Sequence, residues 1–150
     1  MYQIAAGSTA GVAPFTPDKF LTNGAAKTVT ATVKTAGVAN AGPMQLYQSY
    51  RYGGGFTYTI PGLTAGATYT VRLHFAETNF TAAGKRLFNV AINGAAVLSN
   101  FDIFAAGGGS NISVVKSFTA TANASGAIVI VFSGGSADLP KVNGIEILNP

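Results

Sequence analysis

Three tyrosines fall within six residues in Tyr47-Gln-Ser-Tyr-Arg-Tyr52, directly before Gly53-Gly54-Gly55, and Glu77-Thr-Asn-Phe80 follows two strand-like stretches later. In an extended segment Tyr50 and Tyr52 point to one side and Tyr47 to the other, because side chains alternate with period two. The glycines make the backbone beside that pair pliant and put Tyr52 at a strand end or loop. Flat rings, amides and the Arg51 guanidinium gathered at a loop edge suit a ligand with many hydroxyls and a flat apolar face, as a sugar has. The same tyrosines would serve equally well as core lining.

Other chemistry has little to draw on. His74 is the only histidine, so a metal site with two imidazoles is excluded and a Ser-His-Asp triad would have to use it. It lies mid-strand among apolar neighbours, and no serine sits in a nucleophile elbow, so a structural role is expected. Asp18, Glu77, Asp102, Asp138 and Glu146 are the whole supply of acids from which a glycosidase could take its carboxylate pair. Glu77 falls on the buried parity of its strand and is expected to accept hydrogen bonds from loop backbone or to pair with an arginine. Asp18 and Asp102 lie near the Asn or Thr oxygens that calcium uses, but no Asp-x-Asp spacing supports an ion. The glycine runs at 53–55 and 107–109 are not followed by Lys-Ser or Lys-Thr, so they read as loop tips rather than phosphate cradles. No motif asks for a cofactor or a metal. The lack of cysteine rules out disulfides and thiolate chemistry and leaves the compartment open.

The elements that must position these residues are short strands. A length of 150 residues suits one domain over residues 1–150, and 9% charged against 48% hydrophobic residues, with much Gly, Ala and Thr, indicates an all-β chain. The net charge of +4 is scattered, so no nucleic-acid patch forms. No stretch holds eighteen apolar residues and the first fifteen carry no signal pattern, so neither a membrane span nor a leader is expected, and Met1 running straight into a strand suggests an excised module. Strands are expected at Tyr2–Ile4, Thr28–Thr35, Phe56–Ile60, Ala67–Ala76 and Phe88–Ile92, the last turning at Asn93-Gly94 into Val97-Leu98. Further strands follow around Ile112–Phe118, at Ile128–Phe132, apolar on both parities and so central or covered on both sides, and at Val142–Leu148. Asn23-Gly24 signals another turn, and Asn100–Phe104 with the glycines after it reads as a loop. Strands recurring every ten or so residues argue for a β-sandwich with jelly-roll topology.

Five blocks, in order, resemble the malectin and malectin-like carbohydrate-binding family across nearly the whole chain: Tyr47 to Tyr52, Tyr69-Thr-Val-Arg-Leu-His-Phe-Ala-Glu77, Leu87-Phe-Asn-Val-Ala-Ile-Asn-Gly94, Asn100-Phe-Asp-Ile-Phe104 and Pro140-Lys-Val-Asn-Gly-Ile-Glu146. Phe15-Thr-Pro-Asp18 is a weaker likeness. The resemblance implies a galactose-binding-like β-sandwich that holds sugar in a loop-rimmed cleft without cleaving it, in a module often appended to a glycoside hydrolase or a cell-surface receptor. It carries a ligand-binding role onto Tyr52, Phe80 and Asp138, and the reading of the residues themselves adds Tyr50, Arg51 and Asn79. One departure stands out. Where the family has an aromatic pair after Phe-Ala-Glu, this chain has Asn79-Phe80, so one stacking ring is missing and a preference for glucose disaccharides does not carry over. Phe15 or Phe20 is the candidate for a further aromatic from the early loop.

The expected function is therefore a non-catalytic module that recognises an oligosaccharide or polysaccharide, glucan-type favoured. It would belong to a larger secreted or cell-surface protein, with a linked catalytic domain as a candidate neighbour and no nucleic-acid or membrane partner. Few rings and few hydrogen bonds give affinities of roughly micromolar to millimolar. Two other classes remain open: a small glycoside hydrolase or lyase using Glu77 with Asp102 or Asp138, and a structural, protein-interaction sandwich in which the aromatics are core.

Overall fold

Alternation in Phe56, Tyr58 and Ile60 becomes burial, for these three side chains are at most 2% exposed whereas Thr59 between them is exposed. The same pattern recurs along most of the chain. The computed structural model describes residues 1–150 and contains β1 (Tyr2–Ala5), β2 (Leu21–Thr22), β3 (Ala25–Thr28), a 3-10 turn (Met44–Gln48), β4 (Ser49–Tyr52), β5 (Gly55–Ile60), β6 (Thr68–Ala76), β7 (Leu87–Ile92), β8 (Ala95–Phe101), α1 (Ile103–Gly107), β9 (Ser113–Thr121), β10 (Ile128–Ala137), β11 (Lys141–Val142) and β12 (Gly144–Leu148).

The strands form a four-stranded sheet of order β1-β12-β6-β9, a five-stranded sheet of order β2-β5-β10-β7-β8 and a small sheet of order β11-β4-β3. Every pairing is antiparallel. The two larger sheets pack face to face. Ile4, Val71, Leu73, Phe75, Ile145 and Ile147 from one meet Phe56, Tyr58, Ile60, Val90, Ile130 and Phe132 from the other in one core. Each such side chain contributes roughly 1.5–3 kcal/mol on leaving water. Successive strands β5 and β6, and again β9 and β10, lie in opposite sheets, the connectivity of a jelly roll. The expected all-β sandwich is the observed fold.

A second, smaller core covers the outer side of the four-stranded sheet, where Ala5 and Ala76 meet Phe15, Val33, Leu46 and Tyr47. It explains why β6 is buried on both faces from Leu73 to Ala76. His74, expected on a mixed face, is instead fully buried beneath this lid.

Several elements depart from their sequence expectation. The strand expected over Thr28–Thr35 is replaced by Ala25–Thr28, because β3 pairs in register with Ser49–Tyr52; beyond it Val33 buries into the second core, and Lys34 makes only an isolated bridge to Ile112. Asn23 and Gly24 both take positive φ, but they join strands of different sheets rather than a hairpin. Asn93-Gly94, also with two positive φ values, does close the hairpin of β7 and β8. β10 is central in its sheet but covered on one face only, since Val131 is 36% exposed. The expected loop after Phe101 contains α1, started by Asp102, whose Oδ1 accepts from Ala105 N, and ended by Gly108 at φ 75°. The last strand is split at Asn143.

Candidate functional site

The small sheet presents the tyrosines. Register sets Tyr52 between Lys141 of β11 and Ala25 of β3, and sets Lys27 opposite Tyr50. Tyr50 and Tyr52 share a side, as alternation requires, with ring centroids 5.7 Å apart at an interplanar angle of 65°. Arg51 points away from them. Its Nε and Nη2 donate to Asp18 Oδ2 at 3.0 and 2.8 Å, and Nη1 donates to Gly24 O at 3.1 Å. Tyr58 donates its hydroxyl to the other oxygen of Asp18, and burial, reinforced by that carboxylate, pushes the Tyr58 phenol far up.

Asn143 fixes this sheet to the sandwich. Its Oδ1 accepts from Ala76 N at 2.9 Å, while Nδ2 donates to Tyr47 O and Ser49 O at 3.1 and 2.8 Å. A fully buried amide with these valences filled sets the height of β4 above the strand that leads into Glu77.

Two loops complete the site around a buried ion pair. Glu77 Oε1 accepts from Arg86 Nε at 2.7 Å, and Oε2 accepts from Asn79 N and Phe80 N at 3.2 and 3.4 Å. Arg86 Nη1 donates to Leu139 O at 2.6 Å and lies 3.9 Å from Asp138 Oδ1. One pair therefore holds the loop after β6 against the loop before β11. Between them opens a shallow cleft of about 130 Å³ lined by Lys27, Tyr50, Tyr52, Asn79, Arg86, Asp138 and Leu139.

Lys141 closes the site from beneath. Its Nζ lies 3.7 Å from the centroid of the Tyr50 ring and 3.4 Å from Thr78 Oγ1, and the residue is fully buried. Burial lowers its ammonium to about 7, opposed only in part by the charge of Glu77. Burial likewise raises the Tyr50 phenol, which favours its neutral form. Such a cleft can cover an apolar ring face with an aromatic and meet hydroxyls with a carboxylate, an amide and cations.

A family model described as the malectin domain matches residues 2–145. The chain belongs to the malectin family. Among curated relatives of this malectin domain, it is 37% identical over 110 residues to the kinesin-like protein KIN-14E of Oryza sativa subsp. japonica, covering 68% of the chain and 10% of that protein. It is 34% identical over 128 residues to the receptor-like protein 4 of Arabidopsis thaliana, covering 78% of the chain and 20% of that protein. The chain thus spans a small part of each. Among solved structures, the ANX2 ectodomain of Arabidopsis thaliana superimposes with a TM-score of 0.84 at 17% identity, over 98% of this chain and 48% of the other. The complex of the plant peptide RALF23 with FER and LLG2 gives 0.84 at 19% identity, over 98% and 48%. At such identities the likeness is one of fold. The expectation of a secreted or cell-surface module within a larger protein agrees with the receptor-like relative.

Of the residues singled out from the sequence, the malectin fold brings Tyr50, Tyr52, Asn79 and Asp138 to one cleft. Phe80 does not line it, and the Arg86 guanidinium lies 5.2 Å over its ring. Arg51 is not brought there, because the alternation that unites Tyr50 and Tyr52 turns it toward Asp18. Phe15 is buried against His74 and Phe20 packs on Tyr2, so neither early-loop aromatic lines the cleft. Glu77 takes both expected structural roles, and Asp102 caps α1 while its Oδ2 accepts from Gly84 N. Lys27, Arg86 and Lys141 escaped sequence reasoning. For Arg86 a signal existed, an arginine closing the loop that Glu77 opens; Lys27 and Lys141 become neighbours of Tyr50 and Tyr52 only through strand register.

Proposed function

We propose that this malectin domain is an extracellular, non-catalytic carbohydrate-binding module that takes an oligosaccharide or polysaccharide, glucan-type favoured, across the Tyr50–Tyr52 cleft. The observation that carries the reading is the partly exposed Tyr52 ring, packed against the buried Tyr50, lining the same opening as the exposed Asp138 carboxylate and the Asn79 amide. A ring covers the C–H face of a pyranose, and the polar groups take its hydroxyls. Binding rather than hydrolysis is supported by the engagement of the acids. Glu77 is consumed by Arg86 and two backbone N–H groups, and Asp102 by a helix cap, which leaves Asp138 without a carboxylate partner for acid and base work. Residues 1–150 act as one such module, attached in the parent protein to further domains.

The RALF23 complex with FER and LLG2 favours a second reading, in which this cleft holds a peptide. Affinity electrophoresis and a glycan array on the isolated chain separate the two. Retardation by a glucan, galactan or xylan, without new reducing ends, supports the first reading; sugar release that disappears in Glu77→Gln, or no retention by any glycan, sinks it.

A further inference from the structure

A second polar cleft lies beside the loop Asn40–Pro43 and shares no residue with the first. Its floor is a row across the outer face of the four-stranded sheet, where register places Gln3 beside Glu146 and Glu146 beside Arg72. Glu146 accepts from Gln3 Nε2 at 2.8 Å, from Arg72 Nη1 at 3.2 Å and from His74 Nε2 at 3.0 Å. His74 Nδ1 lies 3.0 Å from Tyr47 Oη, which in turn accepts from Gly42 N at 3.1 Å. Tyr47 O–H donating to Nδ1 leaves Nε2–H to donate to the carboxylate, so every group in the chain is satisfied by a neutral imidazole. The wall loop is thus tied to the floor, and Pro14 and Phe15 close the other side of a cleft of about 250 Å³.

Not every polar group of the row is bonded within it. Arg72 donates through Nη1 alone, which leaves Nη2 free, and the amide oxygen of Gln3 accepts from no protein group; the unpartnered Nε has no exposed surface and takes no part in the cleft. Glu146 and Arg72 cancel each other's charge, so the floor favours neither an anion nor a cation. Open donors beside open acceptors suit a hydroxyl, which gives and takes one bond at once, and Pro14, Phe15 and Pro43 supply apolar wall. The volume lies below the roughly 300 Å³ lower bound for drug-sized ligands, which fits a single ring. Because Glu146 and His74 are buried and fixed, little ordering remains to oppose a weak ligand.

We infer that this cleft is a second binding site, for one neutral sugar ring. The inference does not depend on the first cleft, and its test removes that cleft from play. A Tyr52→Ala/Asp138→Ala protein, labelled with ¹⁵N, is titrated with glucose, galactose, mannose and xylose, and with glucuronate as a charged control. Saturable shifts of the Gln3, Asn40 and Gly42 amides with a neutral sugar are expected. Ala41→Trp, which fills the cleft from the loop, should weaken them by about tenfold or more, and Asn40→Ala, at an exposed position, should weaken them in the same direction. The site is overturned by an absence of saturable shifts with all of the neutral sugars, by tighter binding of glucuronate, or by shifts that neither variant alters.

Discussion

Arg86 Nε donates to Glu77 Oε1 across 2.7 Å with both side chains almost wholly buried, and the two loops of the tyrosine cleft hang on that bond. Removing one partner strands a charge in a dry site, at a cost of about 3–5 kcal/mol. Glu77→Gln and Arg86→Met should each lower the urea midpoint accordingly, and the double variant should recover part of the loss. Single variants as stable as the parent would show that the pair does not hold the loops.

Tyr52→Ala should weaken glycan binding with the melting curve nearly in place, because Tyr52 is only partly buried, and Asp138→Ala should weaken it with a modest loss of stability, because Asp138 is exposed but holds a left-handed φ of 52° and accepts from Leu139 N. Lost stacking is worth roughly 1–2 kcal/mol and a lost charged acceptor roughly 1.5–3 kcal/mol. Calorimetry with the best glycan found is the check. Parent-like affinity in both well-folded variants would remove the ligand from this cleft.

Lys141 makes stability depend on pH in an unusual direction. Its ammonium titrates at about 7 when folded and near the ordinary lysine value of 10.5 when unfolded, so between these values the unfolded chain holds a proton that the folded one does not, and raising the pH stabilises the fold. Below 7 both states are charged and the burial penalty is felt in full. The useful window is pH 7 to 9. Near 10 the phenols of Tyr47, Tyr50 and Tyr58, all raised by burial, begin to act oppositely, since the unfolded chain then loses protons first. Relative to Lys141→Met, the melting temperature of the parent should climb across the window, by roughly 2–4 °C for each kcal/mol regained. A constant difference between the two proteins from pH 7 to 9 argues against the buried ammonium.

Glu146 gives a further dependence at acid pH. Burial alone would raise its carboxyl, but hydrogen bonds from His74, Gln3 and Arg72, together with the positive charge of an imidazolium at His74, outweigh that and hold it at about 2, below the ordinary 4.5. Its contribution is complete above 4.5 and lost as the pH falls toward 2. Over that interval the parent should lose roughly 2–3 kcal/mol that Glu146→Gln does not. Equal acid sensitivity of the two proteins in chemical denaturation would contradict the assigned network.

Asn143→Ala leaves the buried Ala76 N–H and the carbonyls of Tyr47 and Ser49 without their side-chain partner. A loss of about 1–3 kcal/mol is expected, with binding weakened as well because β4 carries both tyrosines. Hydrogen exchange of the Ala76 amide reports it directly. Unchanged protection there would show that the bond adds nothing.

The sequence by itself determined what depends on neighbours along the chain. Period-two alternation in Phe56–Ile60 and Thr68–Phe75 set the core faces, Asn93-Gly94 set a hairpin through its two positive φ values, and the parity of Glu77 announced a buried carboxylate in need of donors. The same alternation already turned Arg51 away from Tyr50 and Tyr52. Only the tertiary structure decided which strands become neighbours. β-Branched alternation in Thr28–Thr35 says that a segment fits a sheet but not which sheet, and the partner residues Ser49–Tyr52 drew the strand back to Ala25–Thr28. Lys27 and Lys141 reach the tyrosines across two interstrand registers, Arg86 reaches Leu139 across 53 positions, and His74 is buried because a loop from another part of the chain covers its face. Alternation is a property of the local backbone, whereas register and loop closure are settled by contacts far apart in the chain, and both clefts are made of such contacts.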